Sequence, residues 1–170
     1  MPSSPTPDNG APAPSAGYFI RCFCATGEPP TLAELIQWLA DREVHVTATG
    51  TALTARDWRQ AALTYKAGNK PIVAEIRPAE TPDTPGRREI ESFLAAVGAP
   101  GKSHVKRRVV KHLQGTRFIV ALRIPKDDID DAGYDANGQI LTYFCENNGA
   151  LIQADGEGFY ERSTLVLPLP

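Results

Sequence analysis

Apolar residues along this chain recur in two alternating rhythms, one close to every second residue and one close to every third or fourth. From Gly17 to Ala25 (GYFIRCFCA) both alternating faces are apolar except at Arg21, which predicts a strand covered on both sides at the centre of a sheet. The period then changes. Leu32, Leu35, Ile36 and Leu39 fall on one helical stripe behind Pro30, and Thr31 with Glu34 forms a T-x-x-E capping box. Val44 to Thr49 (VHVTAT) alternates again as a strand, so the first unit reads β-α-β.

Two alternating runs follow, Ala61 to Lys66 and Pro71 to Arg77, joined around Gly68-Asn69 as a hairpin with a type II′ turn. Beyond a Pro/Thr/Asp loop, Thr84 caps a helix from Pro85 to Val97 with Ile90, Phe93, Leu94 and Val97 on its buried stripe. Ser103 starts a helix to Leu113 or, in a rival reading, the same stretch is a valine-rich hairpin turning at Gln114-Gly115. Thr116 to Ile124 (TRFIVALRI) is a second strongly apolar strand, and Pro125 to Asp135 an acidic loop. Asp135 caps a helix from Ala136 to Asn147 that buries Ile140, Leu141 and Phe144 and ends at Gly149. Ala150 to Ala154 is a strand, Asp155 to Gly158 a turn, and Thr164 to Leu167 a last strand.

These elements specify an α+β fold: a single domain over 17–170, with a mixed or antiparallel sheet packed by three to four helices. The stretch 34–39 superposes on 139–144 in apolar pattern, which suggests two pseudo-repeated β-α-β units. The binary patterning of any two amphipathic units accounts for the same match. Residues 1–16 (MPSSPTPDNGAPAPSA) hold 5 of the 15 prolines and read as a Pro/Ser-rich tail without a basic region or apolar core, so not as a secretory signal. No apolar run approaches the roughly 20 residues that a membrane span requires. Three cysteines cannot all pair within one chain, which fits a reducing, cytoplasmic setting.

Composition excludes extremes. With 42% hydrophobic residues and a net charge of −2, the chain is neither a polyelectrolyte nor a histone-like nucleic-acid binder. The small net charge conceals a division. Arg87 to Lys111 carries seven basic residues against two glutamates (+5), whereas Lys126 to Glu161 carries nine acids against one lysine (−8). Such patches steer a partner of complementary charge, or meet within the fold.

Candidate chemistry is sparse. Gly98 to Ser103 resembles a phosphate loop only superficially, because Ala96 stands where its first glycine belongs and a helix precedes it. Cys22 and Cys24 share a strand face, but no second ligand pair accompanies them, and core packing is the simpler role. His104 and His112 are too far apart around one helix to share a metal. The acidic run Asp127, Asp128, Asp130 and Asp131 fits no calcium-loop register. The segment Asp155-Gly156-Glu157-Gly158-Phe159-Tyr160 is the least generic, reading as a recognition loop or as a tight turn between strands.

No metal or cofactor is expected. The favoured reading is a non-enzymatic protein-binding or regulatory module of the inhibitor, immunity or adaptor kind. It would recognise a basic protein through an acidic C-terminal face, with Asp127, Asp128, Asp130, Asp131, Asp155, Glu157 and Tyr160 as binding residues. The alternative is an enzyme with its site around His45, Asp155 and Glu157. Nucleic-acid binding through Lys102 to Lys111 is disfavoured, since no aromatic residues interleave the basic run.

Overall fold

A computed structural model describes residues 17–170; the tail assigned to 1–16 lies outside the described residues. Eight strands form one antiparallel sheet in the order β2-β3-β4-β5-β1-β6-β7-β8. They are β1 (Tyr18–Cys24), β2 (Thr47–Thr49), β3 (Gln60–Thr64), β4 (Ile72–Pro78), β5 (Phe118–Ile124), β6 (Leu151–Ala154), β7 (Gly158–Glu161) and β8 (Thr164–Pro168). Four helices, α1 (Leu32–Ala40), α2 (Pro85–Val97), α3 (His104–Gln114) and α4 (Asp131–Asn148), pack against it. Among the described residues no helix is long and apolar enough to cross a membrane.

The alternation along the strands separates two cores. Cys22, Cys24, Val120 and Leu122 point to one face, where α1 and α4 supply Leu35, Leu39, Ile140 and Phe144. Phe23, Ile119, Leu151 and Phe159 point to the other, where α2 and α3 supply Ile90, Val109 and Leu113. Strands β1 and β5 are therefore buried on both sides, which is why their sequences are apolar at nearly every position.

Local signals explain most of the helix ends. The Thr31 hydroxyl accepts from the Glu34 N–H at 3.1 Å, and the Thr31 N–H donates back to the Glu34 carboxylate at 2.9 Å, a reciprocal cap on α1. The Thr84 and Ser103 hydroxyls cap α2 and α3 by accepting from the Arg87 and Lys106 N–H groups, without the reciprocal bond. The helical reading of 103–114 is thus the correct one of the two, and its basic residues follow a helix surface.

Four expectations need correction. First, α4 begins at Asp131 with Asp130 as its N-cap, five residues earlier than the Asp135 cap, because the Asp130 carboxylate accepts from the Gly133 N–H at 3.0 Å. Gly133 looks like a helix breaker, yet a side chain there would meet Tyr65 and Ile129 at 2.5 to 2.6 Å. Second, Gly158–Glu161 is a strand pairing with both β6 and β8, too short for alternation to reveal. Third, β2 is confined to Thr47–Thr49 at the sheet edge, separated from β1 by β3, β4 and β5. Fourth, the β3–β4 connection spans the seven residues between Thr64 and Ile72, so Gly68-Asn69 sits in a longer loop rather than a two-residue turn.

The two β-α-β units also differ in their crossovers. The β5-α4-β6 connection steps over β1 alone, whereas β1-α1-β2 steps over three strands.

Candidate functional site

The acidic run is anchored within the fold. Asp127 pairs with Lys70, while the Asp128 carbonyl accepts from the Asn69 amide at 3.1 Å and from the Tyr65 hydroxyl at 3.2 Å. Asp130 caps α4 and holds Lys66 at 3.0 Å. These contacts fasten the start of α4 to the β3–β4 loop. Hydrogen bonds from Lys70 and Lys66 hold the Asp127 and Asp130 carboxyls below the usual carboxylate range. Asp131 is exposed in the first helical turn.

Asp155 is committed elsewhere. It accepts from the Phe19 N–H at 3.1 Å and from Arg21 at 2.6 Å. Arg21, the one charged residue of β1, lies under α2, pairs with Glu89, and has its guanidinium over the rings of Phe19 and Phe93, 5.4 and 5.3 Å from their centroids. Glu89 also binds Arg77 at 2.6 Å, and Arg77 binds Glu75 at 3.1 Å. Burial disfavours the charged form of Arg77, but the bonds to Glu75 and Glu89 outweigh it and raise its pKa. This chain of alternating charges satisfies a polar strip on an otherwise apolar face.

His45 is exposed just before β2. Five strand steps separate β2 from β6, about 24 Å at the usual strand spacing. His45 is therefore not brought together with Asp155 and Glu157, and Asp155 and Glu157 themselves divide between the α2 face and the α4 face.

What the structure does assemble is a groove. On the α1/α4 face, the flank of α4 and the strands β6 and β7 line a depression. The resulting cleft has a volume of about 710 Å³. Its floor is Ile20, Ile152 and Ala154, and one wall is the flank of α4 from Tyr134 to Cys145. Tyr134 and Leu165, at 53% and 42% exposure, are two of the three exposed large apolar side chains among the described residues, and both lie on this face. No family profile, curated protein sequence or solved structure matches the chain. The groove must accordingly be read from its own chemistry.

Its two ends differ in charge. At one end Glu157 accepts from the Tyr160 hydroxyl at 3.0 Å and also engages Tyr18. Burial and the neighbouring Glu157 push the Tyr18 phenol up to about 12. Asp135 adds a second carboxylate on the α4 wall. At the other end stands Arg162, which turns the chain between β7 and β8 with φ of 56°. A non-glycine residue in this region carries backbone strain of order 1 kcal/mol. Among the described residues Arg162 makes no ion pair. Beside it, Cys145 lines both this groove and a second cavity that continues past Arg162 to Arg108 and His112. The His112 Nε2 lies 2.7 Å from the Phe23 carbonyl, so that nitrogen carries the proton and donates.

The Cys145 thiol is shifted up by burial, with Arg162 opposing, so its reactive thiolate is scarce at neutral pH. Cys22 and Cys24 are fully buried, and burial raises both far more. Among the described residues no three His, Cys, Asp or Glu side chains are grouped to hold a metal ion. Of the seven expected binding residues, Glu157 and Tyr160 are at the groove. Sequence reading missed Tyr18, Tyr134, Gly138 and Arg162, because they come from three separate elements and meet only in the fold.

Proposed function

We propose that this chain is a non-catalytic protein-recognition module that binds its partner in the groove between α4 and the β6–β7 hairpin. The observation that carries this reading is Gly138. It lies on the groove wall inside α4, where a Cβ would meet no atom within 4 Å. A glycine in a helix interior costs up to about 1 kcal/mol relative to alanine. No packing demand accounts for it, unlike Gly133, so its effect is to keep the wall low and the groove open. The apolar floor, the exposed Tyr134 and Leu165 and a polar rim match the composition of recognition surfaces.

This reading moves the recognition surface of the acidic C-terminal half. Glu157 and Tyr160 remain in it and Asp135 joins them, whereas Asp127, Asp128 and Asp130 act as fasteners. Substituting the whole acidic run would loosen α4 and therefore confound any binding result.

The informative comparison uses two single substitutions and a photo-reactive residue at Thr142 on the groove wall. Cross-linking to a cellular protein should be lost with Gly138→Leu, which fills the groove, and kept with Asp131→Asn, which lies outside it. Equal cross-linking in the two variants would reject the groove as the recognition surface.

A further inference from the structure

The charge pattern of the groove specifies the ligand beyond its class, and this step rests on the groove reading above. Glu157 and Arg162 are separated by the length of β7, five residues or about 16 Å. On the opposite wall, Asp135 and Cys145 are ten helical residues apart, about 15 Å. The two walls therefore place carboxylates at one end and a guanidinium at the other, with Ile20, Leu141 and Ile152 between them.

Both ends are prepared for a charged group. Glu157 accepts from the Tyr160 hydroxyl at 3.0 Å, which restricts its side chain before it meets a cation. Arg162 is held in a strained turn beside the groove without an acidic partner among the described residues. Lys126 lies over the ring of Tyr18 at 4.0 Å and, among the described residues, makes no ion pair with Glu157 or Asp135. Past Arg162 the second cavity adds Arg108 and His112, with Arg108 already bound to Glu161 at 2.8 Å.

We propose that the groove binds an extended peptide segment of a partner protein with the pattern basic-x-apolar-x-acidic. In an extended chain, alternate side chains face one way. The three residues facing the floor are then i, i+2 and i+4, and the outer pair is about 13 Å apart at the backbone. The reach of a Lys or Arg side chain and a Glu side chain spans the remaining few ångströms to Glu157 and Arg162. The central apolar side chain fills the space that Gly138 leaves open. An (i, i+3) spacing would turn one charge away from the groove.

The probes are acetylated and amidated pentapeptides Lys-Ser-X-Ser-Glu, with Leu, Phe, Tyr or Pro at X, titrated into the nitrogen-15-labelled full chain. At least one should shift the amide signals of Thr142, Cys145 and Ser163. Glu-Ser-X-Ser-Glu and Lys-Ser-X-Ser-Lys should each bind about two- to fivefold more weakly, the range for rim ion pairs. R162Q should erase the preference at the last position only, and E157Q combined with D135N the preference at the first only.

Binding without charge preference that Gly138→Leu still abolishes would overturn the bipolar ligand while leaving the groove reading intact. Absence of binding by every peptide, with partner cross-linking still lost in Gly138→Leu, would do the same. Concentration-dependent dimerisation that shifts the groove signals would show that the occupant is a second copy and would overturn the proposal. Should Gly138→Leu alter neither peptide binding nor cross-linking, both readings fall.

Discussion

Replacing Gly138 by alanine should stabilise the protein, whereas the same substitution five residues earlier, at Gly133, should destabilise it. Both glycines lie in α4; the helix-propensity gain is about 0.8–1.0 kcal/mol in the helix interior, where Gly138 sits, and no larger at Gly133 in the first turn. At Gly138 the new methyl meets nothing within 4 Å, and the whole gain of about 1 kcal/mol is retained. At Gly133 it would sit 2.5 Å from Ile129 Cγ1 and 2.6 Å from Tyr65 Cζ. Overpacking of this kind costs about 1–3 kcal/mol. Displacing Tyr65 would also weaken its 3.2 Å bond to the Asp128 carbonyl, worth about 1 kcal/mol. The net at Gly133 is a loss of about 1–3 kcal/mol. Urea unfolding followed by tryptophan fluorescence reads both. With a slope near 2 kcal/mol/M, the midpoint should rise by about 0.5 M for Gly138→Ala and fall by about 0.5–1.5 M for Gly133→Ala. A lower midpoint for Gly138→Ala would mean that Gly138 has a structural task, and the argument that it exists to clear the groove would collapse.

Three further outcomes follow from the charge network and the titrating groups. Arg21→Ala removes the centre of the Arg21–Glu89–Asp155 cluster, in which both Arg21 and Glu89 side chains are only 14% exposed, and should cost about 3–5 kcal/mol in chemical denaturation; a loss under about 1 kcal/mol would show that Arg77 alone satisfies Glu89. The raised phenol of Tyr18, up to about 12 from an ordinary 10.0, contributes stability that is complete below pH 10 and lost as pH rises from 10 to 12. Ultraviolet titration should find one tyrosine ionising near the upper limit, moved downward by Glu157→Gln; unchanged titration in that variant would remove Glu157 as a cause. Thiol labelling of the native protein at pH 8 should modify Cys145 slowly, with Cys22 and Cys24 reacting only after unfolding, and prompt labelling of all three would contradict the burial of β1.

The elements legible in the sequence are those whose information is local. The α1 capping box, the Thr84-Pro85 start of α2 and the doubly buried strands β1 and β5 each follow from residues within one turn or one strand. The start of α4 does not. Gly133 and the dense acids suggest a loop until Tyr65 and Lys66, more than 60 residues away in sequence, are seen to need them. Strand β7 is equally hidden: four residues beginning with a glycine carry no readable period, and they are held by β6 and β8. The same distinction governs the site. Glu157 and Tyr160 stood out because they flank unusual glycines, whereas Arg162 has no sequence signal beyond its charge, since nothing local marks a left-handed arginine.

The division of charge along the chain also acquires a different meaning in three dimensions. The acidic and basic stretches do not neutralise each other, because only Arg108–Glu161 joins them among the ion pairs of the described residues. Asp127, Asp130 and Asp155 are instead matched by Lys70, Lys66 and Arg21 from the first half of the chain. The acids of the acidic stretch left without an ion pair among the described residues, Asp128, Asp131, Asp135, Glu146 and Glu157, belong to α4, the loop before it and the β6–β7 turn. The bases of the basic stretch left in the same state, Arg87, Arg88, Lys102, Lys106, Arg107 and Lys111, belong to α2, α3 and the residues between them, on the opposite face of the sheet. The molecule is therefore polarised across the sheet rather than along its length. A partner whose binding segment leads with a basic residue is drawn to the α4 face and repelled from the α3 face. That orientation is felt over roughly a Debye length, about 8 Å at physiological salt, so it should raise the association rate at low salt while leaving dissociation to the apolar floor of the groove.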